Sequence, residues 1–290
     1  MLNAKSFTYA STDHSIWQRS FIKTIEKLTG QLKIWRLYRE YQNETDQYSD
    51  FWEAAIKKLD VTVQYDLNML QSIPKTGSVV IVANHPYGVL DGLIINNLIS
   101  RVRSDYKVLT NSVLCQAPEC KDTLLPIDFG TSREALQTNL GTRKKAQSIL
   151  NRGGCIVVFP AGGVSSIPTW KDKVAQDTAW QPFIAKLVIR SHATVVPVFF
   201  EGQNSRLFQI ASLMSPTLRL ALFFKEVSDK IGAKIGVRIG KAIAFSEIAH
   251  IENREMLCHE LRNRTYKLGG METMPPPKAA YRIDITQKKK

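Results

Sequence analysis

Between Ile16 and Tyr41 the apolar residues Ile16, Trp17, Phe21, Ile25, Leu28, Leu32, Trp35 and Tyr38 recur every three or four positions. Arg19, Lys23, Lys27, Lys33, Arg36 and Arg39 fill the intervals. This period predicts an amphipathic basic helix, interrupted at Gly30. After the polar and acidic segment from Asn43 to Asp50 the pattern changes. Short runs rich in β-branched residues at 79–83, 106–109, 155–159, 195–200 and 235–239 read as strands. The stretches 92–102, 132–151, 180–191 and 216–227 read as helices between them, and 246–268 as a closing helix. Such alternation predicts an α/β fold, a mostly parallel sheet flanked by helices, with its site at the carboxyl ends of the strands. The chain divides into a basic helical region over 1–60, an α/β domain over 61–270 and a flexible basic tail over 271–290. In that tail Met274-Pro275-Pro276-Pro277 stops any helix and Lys288-Lys289-Lys290 ends the chain.

Composition narrows the function classes. With 44% hydrophobic and 22% charged residues, the 290-residue chain is neither disordered nor collagen-like nor wholly embedded in a membrane. Its 39 lysines and arginines against 26 acids leave a formal charge of +13, which attracts nucleic acid, an anionic bilayer or phosphorylated substrates. Beyond the N-terminal segment the aromatic residues do not interleave with cations as a base-stacking platform requires, so nucleic acid is not the expected partner. The longest apolar stretches, 78–83 and 194–200, fall far short of the roughly 20 residues that span a bilayer. Cys115, Cys120, Cys155 and Cys258 lack CxxC spacing, and the first five residues open no secretion signal. Reduced thiols in a cytoplasmic protein are expected. Tryptophans among cations suit the N-terminal helix to the headgroup region of an anionic membrane, and equally to a core-packed helix with a solvated basic face.

Of the histidines, only His85 stands where a base can be held and approached. The segment from Val82 to Gly92 leaves a strand end, turns through Pro86 and Gly88, and enters an apolar helix at about Asp91. There Asp91 is expected to cap the helix and hold one imidazole nitrogen, leaving the other to take a proton from an alcohol. An unperturbed imidazole, with a pKa of about 6.5, is already mostly unprotonated at neutral pH. Helix-opening N–H groups are candidate oxyanion donors when a carbonyl is attacked. The chemistry suggested is acyl transfer to a hydroxyl; the bland alternative is a capped turn with a satisfied histidine. Two further strand-then-turn segments, Cys155 to Ser166 and Val196 to Ser205, repeat the design, and the three turns are expected to meet at one crevice.

Asn84-His85 with Asp91 downstream, then Phe159-Pro160-x-Gly162 and Val196-Pro197-Val198, resembles the glycerolipid acyltransferases typified by bacterial lysophosphatidate acyltransferase. The resemblance runs from about Val61 to Phe245. It implies that a fatty acyl group passes from acyl-CoA or acyl carrier protein, as co-substrate, to a lyso-lipid hydroxyl without an acyl-enzyme or other cofactor. It also implies that His85 is the base and Asp91 its orienting partner. Two departures stand out. The family separates its histidine and aspartate by four residues, whereas Pro86 to Leu90 makes five, so Gly88 must supply a bulge. The family's Phe-Pro-Glu-Gly-Thr-Arg is here Phe159-Pro160-Ala161-Gly162-Gly163-Val164, without its acid or arginine. This form resembles the branch called hemolysin-like, some of whose members acylate lyso-ornithine lipid. Arg133, Lys171 and Arg206 are the candidate substitutes for contact with an anionic headgroup. Asn84 and Gly88 are expected to shape the substrate turn, with Phe159 to Gly163 and Glu201, Gly202 and Asn204 as walls. The expected protein is a peripheral enzyme on the inner face of the cytoplasmic membrane, bound to anionic lipid.

Other motifs fail on spacing. His259-Glu260-Leu261-Arg262-Asn263 lacks the second histidine of a zinc peptidase, and Gly236 to Ala242 is one residue short of a phosphate-binding loop. No G-x-S-x-G elbow is present, Ser165-Ser166 has no evident base, and Cys155 lies in an apolar run that makes it inert. A non-catalytic protein that binds anionic lipid is the alternative from another class.

Overall fold

The computed structural model describes residues 8, 10, 15–111, 118–127 and 132–271. The proposed tail, apart from residue 271, lies outside the described residues, as do Cys115 and residues 128–131. The centre is a seven-stranded sheet in the order β1-β7-β6-β2-β5-β3-β4. Its strands are β1 (Thr62–Gln64), β2 (Val79–Ala83), β3 (Tyr106–Asn111), β4 (Leu124–Ile127), β5 (Cys155–Val158), β6 (Thr194–Phe200) and β7 (Lys234–Ile239). From β6 to β4 all neighbours are parallel, while β7 runs antiparallel to β6 and carries β1 parallel to itself at the edge. β2, β5 and nearly all of β6 are buried, which is why they read as continuous β-branched runs.

Successive residues of β2 feed opposite faces of the sheet. Val79, Ile81 and Ala83 join one core with Leu90, Ile94, Ile95 and Leu98 of α5 (Val89–Ile99) and with Trp52 and Ile56 of α3 (Phe51–Lys58). On the other face, Val80 and Val82 join a core built with α6 (Arg133–Asn151), α7 (Pro182–Ser191) and α12 (Arg254–Leu268). The expected α/β layering is therefore present. Ser132 caps α6 by accepting from the Ala135 amide, where the pattern placed that helix start.

Several elements differ from the sequence reading. α5 begins at Val89 rather than Gly92, and β5 stops at Val158, one residue before Phe159. The helix expected over 216–227 is two, α9 (Pro216–Ala221) and α10 (Phe223–Asp229), because the chain tightens at Leu222, whose amide bonds the Arg219 carbonyl. That bend turns Leu222, Phe223 and Phe224 into a satellite cluster with Val164 and with Phe208 of α8 (Arg206–Met214). The closing helix is also two, α11 (Phe245–Ile248) and α12, with Asn253 capping the second. β1, β4, α3, α4 (Leu67–Gln71) and α8 were not anticipated. Cys120, Cys155 and Cys258 are buried, and burial pushes Cys155 up to about 12, which leaves it neutral and inert as expected.

The N-terminal period forms α1 (Ile16–Thr29) and α2 (Gln31–Gln42), broken at Gly30 as expected. Gly30 has φ +148°, and a Cβ there would stand 2.7 Å from the Phe224 carbonyl oxygen, so both backbone angle and space demand glycine. The helices pack on α9 and α10, with Ile25 and Ile34 against the satellite cluster and Ile22 and Glu26 buried. The residues facing out are Trp17 (86% exposed), Ile16, Leu28 (80%), Phe21 and Leu32. Much of the apolar stripe is thus on the solvent side, beside exposed Lys23, Lys27, Lys33 and Arg36.

Candidate active site

β6, β2 and β5 are parallel neighbours, so the turns leaving them share one edge of the sheet. The middle turn carries His85. At its start Asn84 is buried, and its Nδ2 donates to the Phe200 carbonyl (3.0 Å) while its Oδ1 accepts from the Phe200 amide (2.7 Å). The side chain substitutes for a rung of the ladder just past the end of β2. The amide of Asn84 is thereby committed to the neighbouring strand.

The chain then turns through Pro86 to Gly88, which has φ +84°. A Cβ at Gly88 would stand 2.9 Å from Phe223 Cε1 and 3.0 Å from Val164 Cγ2, so only glycine fits. Gly88 is the N-cap of α5, and Asp91 sits at the third helical position rather than opening the helix. From there its Oδ2 accepts from the Tyr87 amide (2.8 Å), the Gly88 amide (2.9 Å) and His85 Nδ1 (3.0 Å). The extra residue between histidine and aspartate is absorbed at Gly88. Because Tyr87 and Gly88 spend their N–H groups on Asp91, these two amides are not oxyanion donors.

Asp91 is fully buried and the His85 side chain 18% exposed. Burial raises the Asp91 pKa, opposed by its bonds to His85 and to the Tyr87 and Gly88 amides. Oδ2 already accepts two N–H bonds, so the imidazole must be the donor at Nδ1. Nε2 is then the unprotonated nitrogen of the neutral ring, and nothing among the described residues hydrogen-bonds it. Such a nitrogen can take a proton.

Phe159, leaving the sheet one residue after β5, stacks on this ring at 4.0 Å between centroids and 25° between planes. Pro160 accepts from the Gln181 amide (3.0 Å), and Ala161 is buried. Gly162 (φ +72°) and Gly163 are exposed and form a lip. On the other side the Tyr87 hydroxyl donates to the Glu201 carbonyl (2.7 Å). A Cβ at Gly202 would stand 2.0 Å from that hydroxyl, and buried Asn204 donates to the Tyr87 carbonyl (3.4 Å). The Glu201 carboxylate pairs with Arg238 of β7. Glu201, Gly202 and Asn204 therefore shape the turn through Tyr87. A cleft of about 400 Å³ opens beside the turn, lined by Asn84, Pro86, Lys173, Phe199, Gln203 and Tyr266 among others.

The three candidate cations stand in different surroundings. Arg133 opens α6 in an exposed position, and among the described residues no hydrogen bond or ion pair joins it to these turns. Lys171 lies over the Trp170 ring (5.5 Å), and Arg206 donates to the carbonyls of Trp170 and Asp172. Two residues at the site escaped the sequence reading. Arg219 of α9 donates to the Val164 carbonyl and the Ser166 hydroxyl (3.2 Å), and its Nη2 lies 3.9 Å from where a Cβ of Gly163 would stand. Asp177 lies behind the turn, its carboxylate accepting from the His85 amide (3.2 Å). It sits in an aperiodic stretch, and only the Asp177-x-x-Trp180 pairing was there to mark it.

Residues 31–271 match the acyltransferase family, a span that holds all three turns. The chain belongs to that family. It is an enzyme that transfers acyl groups, and the resemblance to glycerolipid acyltransferases read from the motifs is borne out. Two curated relatives are lyso-glycine lipid O-acyltransferases, from Phocaeicola vulgatus and Bacteroides thetaiotaomicron. Each is 28% identical over 226 residues, which is 76% of this chain and 77% and 79% of theirs, respectively. Among solved structures, the 1-acyl-sn-glycerophosphate (LPA) acyltransferase PlsC from Thermotoga maritima matches 93% of this acyltransferase and 88% of its own chain. Its TM-score is 0.49 and its identity 15%.

Proposed function

We propose that this acyltransferase moves a fatty acyl chain from an acyl thioester, acyl-CoA or acyl carrier protein, to the hydroxyl of a lyso-lipid, with His85 as general base. The observation that carries the reading is the 3.0 Å contact between His85 Nδ1 and Asp91, which leaves Nε2 open where three turns meet. Nε2 takes the hydroxyl proton as the oxygen attacks the thioester carbonyl. The tetrahedral intermediate then expels the thiolate, which recovers that proton from His85, so ester and thiol leave and the enzyme is unchanged. Asp91 keeps the ring in the productive tautomer and balances the transient imidazolium.

The acceptor supported best is an anionic lyso-lipid, and the names of the two relatives put a lyso-glycine lipid first, ahead of lyso-ornithine lipid and lysophosphatidate. Val164 occupies the position of the family's motif arginine, and Arg219 brings a guanidinium to that residue from α9. A headgroup anion at the Gly162–Gly163 lip would meet it. Purified protein incubated with labelled acyl thioesters of both kinds and these three lyso-lipids should give one acylated product identifiable by mass. Absence of product from every pair, with folded protein, would overturn the reading.

A membrane-resident acceptor calls for a protein that docks on a bilayer, here its inner, cytoplasmic face. No described helix is long and apolar enough to cross one. Support for surface docking comes from the exposed Trp17, Leu28 and Leu32 and from an open depression of about 510 Å³ at the α1–α2 junction, lined partly by Lys27, Lys33 and Arg36. At about 1 kcal/mol per cation near an anionic surface, replacing all three with glutamine should weaken binding to anionic vesicles about 100-fold at low salt. Neutral vesicles serve as the control in a sedimentation assay. Unchanged sedimentation with anionic vesicles would remove these helices from membrane docking.

A further inference from the structure

Asp177 belongs to no element of the sheet or helices, yet it is fully buried and its carboxylate takes three donors. Oδ1 accepts from the His85 amide (3.2 Å) and the Ser165 hydroxyl (2.6 Å), and Oδ2 from Trp180 Nε1 (2.9 Å). The Ser165 amide returns to the His85 carbonyl (2.8 Å). These bonds close a ring: the carboxylate holds the amide of His85, the serine holds its carbonyl, and the serine hydroxyl returns to the same carboxylate oxygen. Both peptide groups of His85 are thereby clamped from behind while Asp91 holds the imidazole from the side.

The clamp is itself anchored. The Asp177 amide donates to the Tyr266 hydroxyl (2.7 Å), and the Asp177 carbonyl accepts from Arg262 (3.0 Å), both from α12. Burying a carboxylate opposes its charged form, and here the opposing influences include the Ser165 and Trp180 bonds and the His85 amide. A hydrophobic residue would fill the space without that penalty. In this chain the bonds of the buried carboxylate end on the residue that bears the reactive nitrogen.

We propose that Asp177 is a positioning residue for acyl transfer, fixing the backbone of His85 through its amide and through Ser165 so that Nε2 meets the acceptor hydroxyl in line with the thioester. The proposal rests on His85 acting as base, and it concerns a residue that acts only through His85. A displacement of about 1 Å at a reacting group is enough to slow a reaction about 100-fold.

The test is steady-state kinetics on full-length protein with an active donor and acceptor pair. Asp177→Asn should lower kcat by about 30- to 100-fold with both KM values within about twofold of wild type, and Ser165→Ala should lower it by about five- to tenfold. Added to His85→Ala, Asp177→Asn should slow the residual rate no further, because there is no imidazole left to position. A purely structural carboxylate would instead reduce the residual rate by the same factor in both backgrounds, and that result overturns the proposal. So does a kcat within twofold of wild type for Asp177→Asn. Should that variant not fold, Ser165→Ala decides, with wild-type kcat counting against the clamp. Full activity of His85→Ala would overturn the base assignment itself, which separates the two failures.

Discussion

His85→Ala should lower kcat by about a thousandfold or more while leaving the fold intact, the upper part of the range for loss of a general base. The fold should survive because the ring is partly exposed and the bonds that hold this position are made by its backbone, with Asp177 and Ser165. Asp91 would keep the Tyr87 and Gly88 amides, so the start of α5 stays capped. What disappears is the nitrogen proposed as the base and the face against which Phe159 stacks. Turnover with the active pair, beside a thermal unfolding curve, checks both halves. Retained turnover in a folded variant would mean that the alcohol loses its proton elsewhere and that the His85–Asp91 contact is only a cap.

Asp91→Asn should lower kcat by about 10²- to 10⁴-fold, since an amide neither balances the imidazolium nor enforces the Nδ1–H tautomer. Stability provides a second, signed readout. Burial holds the Asp91 carboxyl above the ordinary carboxylate range, so the folded state binds its proton more tightly than the unfolded state does. Stability tied to that proton is present below the unfolded pKa of about 4 and is lost as pH rises through the higher folded value. Asparagine does not titrate. The stability lost on substitution should therefore be larger near pH 4 than at pH 7.5, as read from unfolding midpoints. A gap that widens as pH rises would show that the charged form is favoured in the folded protein, and would reverse the electrostatic description of the site.

The His85–Asp91 pair was legible because it is local. Six positions separate the two residues, and a strand end, a proline, a glycine and an apolar helix between them leave few ways to fold. Even there the helix start was misplaced, since Asp91 caps from the third helical position, where its carboxylate takes the Tyr87 and Gly88 amides. The α1–α2 period was equally visible, but a period is blind to which face meets the core. Packing on α9 and α10 turned Ile22 and Glu26 inward and left Trp17 and Leu28 out.

The alternation of strand and helix, the apolar runs of β2, β5 and β6 and the three turns that follow them were all readable along the chain. Buried parallel strands need unbroken apolar runs, and the chain must turn at their ends; both requirements act over a few neighbouring residues. Packing alone set the strand order that places the His85 turn between the other two. It also decided the tie of Asn84 to Phe200, the reach of Arg219 to Val164 and the clamp from Asp177, which join residues 116, 55 and 92 positions apart. Each places a polar group that must find its partner out of water. The penalty for failing to do so is felt only in the closed core, where distance along the chain no longer matters.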